Sequence, residues 1–115
     1  MPNTFYLKKG DTSPAIETIL SDANGPVDLT GATVVLRMSP DGGGNPMLVA
    51  TATVVTPQTG EDLGKVTYDW QEGDTDFVGT HKAEWRVTFA NGKKATWPRG
   101  SADTFDLIVI QDEVT

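Results

Sequence analysis

Few residues of this chain could carry chemistry, and most of them lie in turns. The chain has one histidine, His81, and no cysteine, so a histidine–cysteine metal cluster, a thiolate nucleophile and a disulfide are excluded. No nucleophile motif surrounds His81. It follows Gly79 by two residues at the start of an alternating segment, which favours a structural role at the beginning of a strand.

Acidic side chains recur in turn sequences, most clearly in two Gly-Asp-Thr triplets at 10–12 and 73–75. Asp and Thr side chains cap backbone amides in tight turns, which explains such triplets without any ligand. The spacing of Asp74 and Asp76 also suits a pair of calcium ligands, but the chain lacks a twelve-residue acidic loop with its distal Glu. We therefore expect no metal site.

Enzymatic function is not expected either. Strands can bring distant carboxylates together as a glycosidase pair, but no two acidic residues stand out in the sequence as such a pair. The three glycines at 42–44 lack the Gly-Lys-Ser/Thr ending of a phosphate-binding loop, and no helix follows them. The sequence thus predicts no catalytic residue, no cofactor and no enzyme.

The charge balance argues against polyanionic partners. The 115 residues (12.3 kDa) carry 16 acidic and 9 basic side chains, a formal net charge of −7 and a pI of about 4.4. Such a surface repels phosphate backbones and anionic headgroups, so we expect neither nucleic acid nor a membrane as a partner. The sequence lacks a signal-peptide pattern and a membrane-span pattern, which predicts synthesis in the cytosol.

Period-2 alternation dominates the chain and predicts an all-β fold. The clearest example is the segment 81–89, in which one face collects Ala83, Trp85, Val87 and Phe89. Turn sequences rich in Gly, Pro, Asn and Asp separate this segment from further predicted strands at 5–9, 15–21, 32–38, 47–56, 65–70, 95–97 and 105–110.

Two local patterns refine the strand prediction. The strands at 47–56 and 65–70 are predicted to pair as a hairpin, and Asn91-Gly92 is predicted to form a tight turn of type I′, which needs positive φ at both residues. The spacing of Ile16, Ile19 and Leu20 also suits one helical turn, but the flanking Pro and Gly residues leave little room for a helix.

Seven or eight strands in 115 residues predict an immunoglobulin-like antiparallel β-sandwich that folds as a single domain over residues 1–115. The usual disulfide between the sheets is excluded, so apolar packing must supply the stability. We expect the core to contain Val34, Leu36 and Met38 together with the aromatic rings of Tyr68, Trp70, Trp85, Phe89, Trp97 and Phe105.

Residues in loops are the candidates for contacts with a partner. Phe77 lies in a turn and is predicted to be exposed, where it serves either as an interface anchor or as a lid over the end of the sandwich. Trp97 and Arg99 flank a proline, and Asn45 lies in a glycine-rich loop that is predicted to be flexible. The loop at 58–63 is a further candidate for contacts with a partner.

Four segments of the chain resemble a known family: LKKGDTSP at 7–14, LSDANGPVDLTGATV at 20–34, GKVTYDW at 64–70 and GTHKAEW at 79–85. The most specific part is PVDLTGAT at 26–33, which follows a Gly-Asp-Thr-x-Pro turn. Together these segments are similar to the immunoglobulin-like N-terminal domain of phage baseplate upper proteins and of related small virion proteins.

The resemblance implies a non-enzymatic structural protein of a bacteriophage particle, in the tail, baseplate, neck or capsid surface. Such a protein docks onto other virion proteins, forms homo-oligomers within the particle, and is located in the virion after synthesis in the host cytoplasm. The resemblance also implies a tyrosine corner, and this chain has His81 at the position of the tyrosine. The alternative function is a module on the particle that binds a glycan or protein of the host surface through its loops.

Overall fold

Strands account for nearly all the regular structure of the chain. The computed structural model describes residues 4–40, 48–98 and 106–112, and no helix in these ranges is long and apolar enough to cross a membrane. A short 3₁₀ helix lies at Gly60–Asp62. The strands are β1 Thr4–Lys8, β2 Ile16–Ile19, β3 Ser21–Asp22, β4 Gly25–Pro26, β5 Thr33–Pro40, β6 Leu48–Thr51, β7 Thr53–Val54, β8 Lys65–Tyr68, β9 Gly79–Thr88, β10 Lys94–Trp97 and β11 Asp106–Gln111.

Two sheets build the sandwich. The larger sheet has the order β1-β11-β9-β5-β6, and β10 pairs with the C-terminal half of β9. Its central strand β9 is antiparallel to β5 on one side and to β11 and β10 on the other, whereas the edge strand β1 runs parallel to β11. The smaller sheet has the order β2-β8-β7, and β3 pairs with β4 as a separate ribbon. This is the predicted immunoglobulin-like β-sandwich, but its described residues form eleven strands rather than seven or eight, and the pairing of β1 with β11 is parallel rather than antiparallel.

Side chains that point inward from both sheets form one apolar core. Alternation places every second residue of β5 and β9 inside, and the smaller sheet adds Ile16, Val66 and Tyr68. The predicted core is confirmed for Val34, Leu36, Met38, Tyr68, Trp70, Trp85 and Trp97, all of which are buried, whereas Phe89 is only partly buried.

The last strand buries the residues Asp106, Ile108 and Ile110. The carboxylate of Asp106 accepts a hydrogen bond of 3.0 Å from the indole Nε1 of Trp85, which explains how an acidic side chain is accommodated inside. Leu107 alternates with these residues and faces outward. Phe105, which was predicted to be a core residue, lies outside the described residues.

Two sequence predictions need correction at the strand between 47 and 56. Its alternation continues without a break, but Leu48–Thr51 pairs with β5 in the larger sheet, and Thr53–Val54 pairs with β8 in the smaller sheet. The chain changes sheet at the buried Ala52, whose amide donates to the carbonyl of Val34 over 2.8 Å. The predicted hairpin with 65–70 is therefore limited to two residues.

The turn at Asn91-Gly92 also differs from its prediction. Gly92 has a φ of 85°, but no described residue other than glycine has positive φ, so the turn is not of type I′. The amide of Gly92 donates to the carbonyl of Phe89, and the amide of Phe89 donates to that of Lys93, each over 2.8 Å. This pattern is a type I turn closed by a glycine bulge, which needs positive φ at one residue only.

Candidate docking site

The loop before β9 presents two neighbouring apolar side chains to solvent. Phe77 is 56% exposed, as predicted, and Val78 is 51% exposed. The buried His81 holds this loop in place, because its Nε2 lies 2.8 Å from the carbonyl oxygen of Phe77. Since a carbonyl oxygen only accepts, Nε2 carries the proton and donates it.

This contact of His81 is analogous to the hydrogen bond of a tyrosine corner. A tyrosine corner ties the start of a strand to the backbone a few residues upstream, and here the imidazole reaches back four residues to Phe77. The other ring nitrogen, Nδ1, is buried and has no hydrogen-bond partner within the described ranges. His81 is therefore a structural residue that sets the position of the exposed Phe77.

The two Gly-Asp-Thr triplets form turns of the same design. In each turn the Asp side chain accepts from the amide three residues earlier, from Lys8 to Asp11 over 3.0 Å and from Gln71 to Asp74 over 2.8 Å. Each Asp amide also donates to the carbonyl of that same earlier residue over 3.0 Å. The preceding glycines have φ values of 86° and 94°, the conformation that glycine adopts without strain.

These two turns are joined to each other through Thr75, which is fully buried. Its hydroxyl donates to the carbonyl of Asp11 over 2.8 Å, and its carbonyl accepts from the amide of Gly10 over 3.2 Å. The hydroxyl of Tyr68 donates to Asp74 over 2.5 Å, and burial together with this carboxylate raises the pKa of Tyr68. Thr75, Asp74 and His81 thus anchor the loop that carries Phe77 at three points.

Of the other predicted contact residues, the structure describes only Trp97. Trp97 is buried, its indole Nε1 donates to the carbonyl of Ser21 over 2.8 Å, and its ring meets Phe89 edge-on at 6.3 Å between centroids. Because β10 continues the alternation, it turns Trp97 into the core, and this ring is not available to a partner. Arg99 and Asn45 lie outside the described residues. The exposure of Val78 was not predicted from the sequence, where its position next to Phe77 in a turn was the only indication of it.

The segment that carries the most specific resemblance also has a structural explanation. The carboxylate of Asp28 accepts from the amide of Thr30 over 3.0 Å and from its hydroxyl over 2.6 Å, and these two bonds lower the pKa of Asp28. This turn leads into β5 and places Leu29, which is fully buried, in the core. The motif is therefore accounted for by a capped turn rather than by a ligand site.

A cleft of about 340 Å³ lies beside this turn, between residues 29–32 and 54–59. The side chain of Gln58 lines it and is buried, and its amide is fully bonded. Oε1 accepts from the amides of Leu29 and Gly64 over 3.0 and 2.9 Å, and Nε2 donates to the carbonyls of Val55 and Asp62 over 2.7 and 2.9 Å. Gln58 therefore has no capacity left for a ligand, and its role is to hold three segments together.

No group of three His, Asp or Glu side chains that could hold a metal ion occurs in residues 4–40, 48–98 and 106–112.

No protein-family model matches the sequence, and no curated protein matches it either. Among solved structures, the chain is similar to CopC from Methylosinus trichosporium OB3b, with a TM-score of 0.53 and 12% identity over 98% of this chain and 88% of that one. At this identity the likeness supports the β-sandwich fold alone.

Proposed function

We propose that this chain is a non-enzymatic docking module of a bacteriophage particle, which contacts another virion protein through Phe77 and Val78. The observation that carries the proposal is the exposed apolar pair itself, held on a loop that buried polar contacts fix in place. The segments that resemble virion proteins supply the class of partner.

The hydrogen bonds that hold the loop favour Phe77 as a binding residue. Side chains and loops that become ordered on binding cost free energy, and a preformed anchor avoids that cost. Burying the exposed half of a Phe ring, on the order of 100 Å², contributes about 2–3 kcal/mol. Such a contact is modest for one copy, and repeated copies on a symmetric particle would make the attachment firm.

The surroundings of Phe77 restrict the partner further. Asp76 precedes it and is exposed, so a complementary partner offers an apolar pocket with a basic rim. Among the described strands, β2 and β7 lie at the edges of the smaller sheet and β6 lies at an edge of the larger sheet, and an edge strand gives a second means of attachment, by addition of a strand from the partner.

The test measures whether the protein is part of phage particles purified from the strain that encodes it. We expect the wild-type chain to sediment with purified particles in a density gradient and the Phe77→Asp variant to be lost from them. The control is Ala23→Asp, which introduces the same charge, because Ala23 is exposed in the turn between β3 and β4 and belongs to none of these edge strands. Thermal unfolding of both variants checks that the fold is kept.

Two results would contradict the proposal. If the wild-type chain were absent from particles, the virion assignment would be wrong; if Phe77→Asp sedimented with them as the wild type does, the contact would lie elsewhere. Specific binding of the purified domain to host cells or to a glycan array, without the particle, would instead support the host-surface alternative.

A further inference from the structure

Two exposed turns of this protein contain the same three residues, Ala-Asn-Gly, at 23–25 and 90–92. The first turn connects β3 to β4, and the second connects β9 to β10. In each turn the asparagine precedes a glycine with positive φ, which is 109° at Gly25 and 85° at Gly92. Asn24 and Asn91 are both exposed, so both side chains are accessible to water.

An asparagine that is followed by glycine can react with its own backbone. Glycine has no Cβ, so its amide nitrogen can approach the side-chain carbonyl carbon of the preceding residue closely. When this nitrogen loses its proton and attacks, a new N–C bond closes a succinimide ring, the bond from Cγ to Nδ2 breaks, and ammonia leaves with the proton. Water then opens the ring at either carbonyl and yields aspartate or isoaspartate, and no oxidant or reductant takes part.

The turn at 90–92 restrains its asparagine. The side-chain oxygen Oδ1 of Asn91 accepts a hydrogen bond of 2.9 Å from the amide of Lys93. This bond fixes the orientation of the carboxamide, so rotation into the attack geometry has to break it. The amide of Gly92, which is the attacking nitrogen, donates to the carbonyl of Phe89 over 2.8 Å.

The turn at 23–25 cannot restrain its asparagine in this way. The residue two positions after Asn24 is Pro26, which has no amide proton to donate. The backbone amide of Asn24 donates to Oδ1 of Asp22 over 2.8 Å, and this bond does not involve the carboxamide. The attacking residue Gly25 pairs with Asp22 across the ribbon of β3 and β4, so the nucleophile is engaged here as it is in the other turn. The two sites therefore differ in what holds the side chain.

We propose that Asn24 is a site of spontaneous deamidation and isoaspartate formation, and that the fold protects Asn91 from the same reaction. The protecting group is the amide of Lys93. A hydrogen bond of ordinary strength slows a step that requires its loss by about fivefold, so Asn24 should react about fivefold faster than Asn91. The site does not include Phe77, and it stands or falls separately from the proposed virion partner.

The reaction changes the ribbon of β3 and β4 in two ways. Either product adds one negative charge at position 24. Isoaspartate also carries the backbone through the former side chain, which inserts a methylene group before Gly25 and disturbs its pairing with Asp22. The ribbon is tied to the core, because the carbonyl of Ser21 accepts from the indole of Trp97. The isoaspartate form should therefore unfold at a lower urea concentration than fresh protein, whereas Asn24→Asp, which adds the charge alone, should unfold as the wild type does.

The test incubates the purified full-length protein at mildly alkaline pH in about 1 M salt, where a screening length of about 3 Å suppresses the effect of the Asp22 carboxylate on the neighbouring amide. Samples are digested with trypsin in water enriched in heavy oxygen, which marks any deamidation that occurs during digestion. Cleavage after lysine and arginine places Asn24 in the peptide 10–37 and Asn91 in the peptide 87–93. Mass spectrometry follows both peptides in each sample.

In the folded protein we expect the peptide 10–37 to deamidate about fivefold faster than the peptide 87–93. In urea the hydrogen bond on Asn91 is lost, so the two rates should become similar. Gly25→Ala tests the attacking nitrogen, because the added Cβ meets no neighbouring atom within 4 Å but hinders the approach of the amide to Asn24. This variant should slow deamidation at Asn24 severalfold and leave the rate at Asn91 unchanged, which also shows that the variant is folded.

Equal rates at the two asparagines of the folded protein, or a faster reaction at Asn91, would overturn the proposal. A rate difference that persists unchanged in urea would assign it to the local sequence rather than to the fold and would overturn it as well. If the isoaspartate form unfolded at the same urea concentration as Asn24→Asp, the inferred effect on the ribbon would be wrong.

Discussion

Replacing Gln58 by Leu should destabilise the fold strongly, although Gln58 lies in a loop. Its side-chain oxygen accepts hydrogen bonds from the amides of Leu29 and Gly64, and both bonds are buried. Its side-chain nitrogen donates to the carbonyls of Val55 and Asp62, and these bonds are partly buried. Leucine has similar size but can satisfy none of these four groups.

The magnitude follows from the groups left without partners. Each buried donor that loses its acceptor costs about 1–3 kcal/mol, so the two amides together cost about 2–6 kcal/mol. The two carbonyls add less, because partly buried oxygens can bind water, and the apolar side chain returns about 1 kcal/mol. We expect a loss of about 2–4 kcal/mol, or on the order of 10 °C in melting temperature for a domain of this size.

Urea unfolding followed by tryptophan fluorescence measures this loss. The matched control is Gln71→Leu, because the Gln71 side chain is exposed and, within the described ranges, donates one hydrogen bond, to the carbonyl of Asp69. We expect a change in stability within about 0.5 kcal/mol there. If Gln58→Leu were as stable as Gln71→Leu, the four bonds would contribute nothing measurable and the reasoning would be refuted.

Two further substitutions test the turns and the anchored loop. Gly64→Ala should lower the free energy of unfolding by about 2 kcal/mol or more, because φ is +77° and a Cβ would lie 2.6 Å from the carbonyl oxygen of Leu20. The control is Gly60→Ala, where φ is +60° but the space around the residue is open. It should lower the free energy of unfolding by about 1 kcal/mol in the same urea assay. Tyr68→Phe should reduce the loss of stability at alkaline pH. Burial and Asp74 raise the pKa of Tyr68 in the folded protein. The stability that the protonated Tyr68 hydroxyl contributes is therefore complete below about pH 10 and is lost as the pH rises further. Unfolding curves at about pH 9 and about pH 11 measure this, and an equally steep loss in the variant would contradict it.

Alternation was enough to predict the sandwich and most of its core. The segments 33–40 and 79–88 each bury one side only, so the period of two identifies Val34, Leu36, Trp85 and their neighbours without knowledge of their partners. The change of sheet at Ala52 was not predictable in the same way, because the burial pattern passes through it unchanged and only the hydrogen-bond partner differs.

The roles of single polar residues depended on contacts between distant segments. Gln58 bonds to an amide 29 residues away and Thr75 to a carbonyl 64 residues away, and no local pattern indicates such partners. Trp97 was predicted both for the core and for the interface, and the register of β10 against β9 decides for the core. The structural role predicted for His81 agrees with its burial and its bond to Phe77.

The parallel pairing of the first and last strands affects how the protein is made. Residues Thr4 to Lys8 pair with residues Leu107 to Gln111, so β1 cannot pair with β11 until synthesis has passed residue 111. Tyr6, the most exposed aromatic ring at the edge of the larger sheet, takes its place only when β11 is present. The larger sheet therefore stays incomplete during synthesis for as long as residues 4–8 have left the ribosome and residues 107–111 have not.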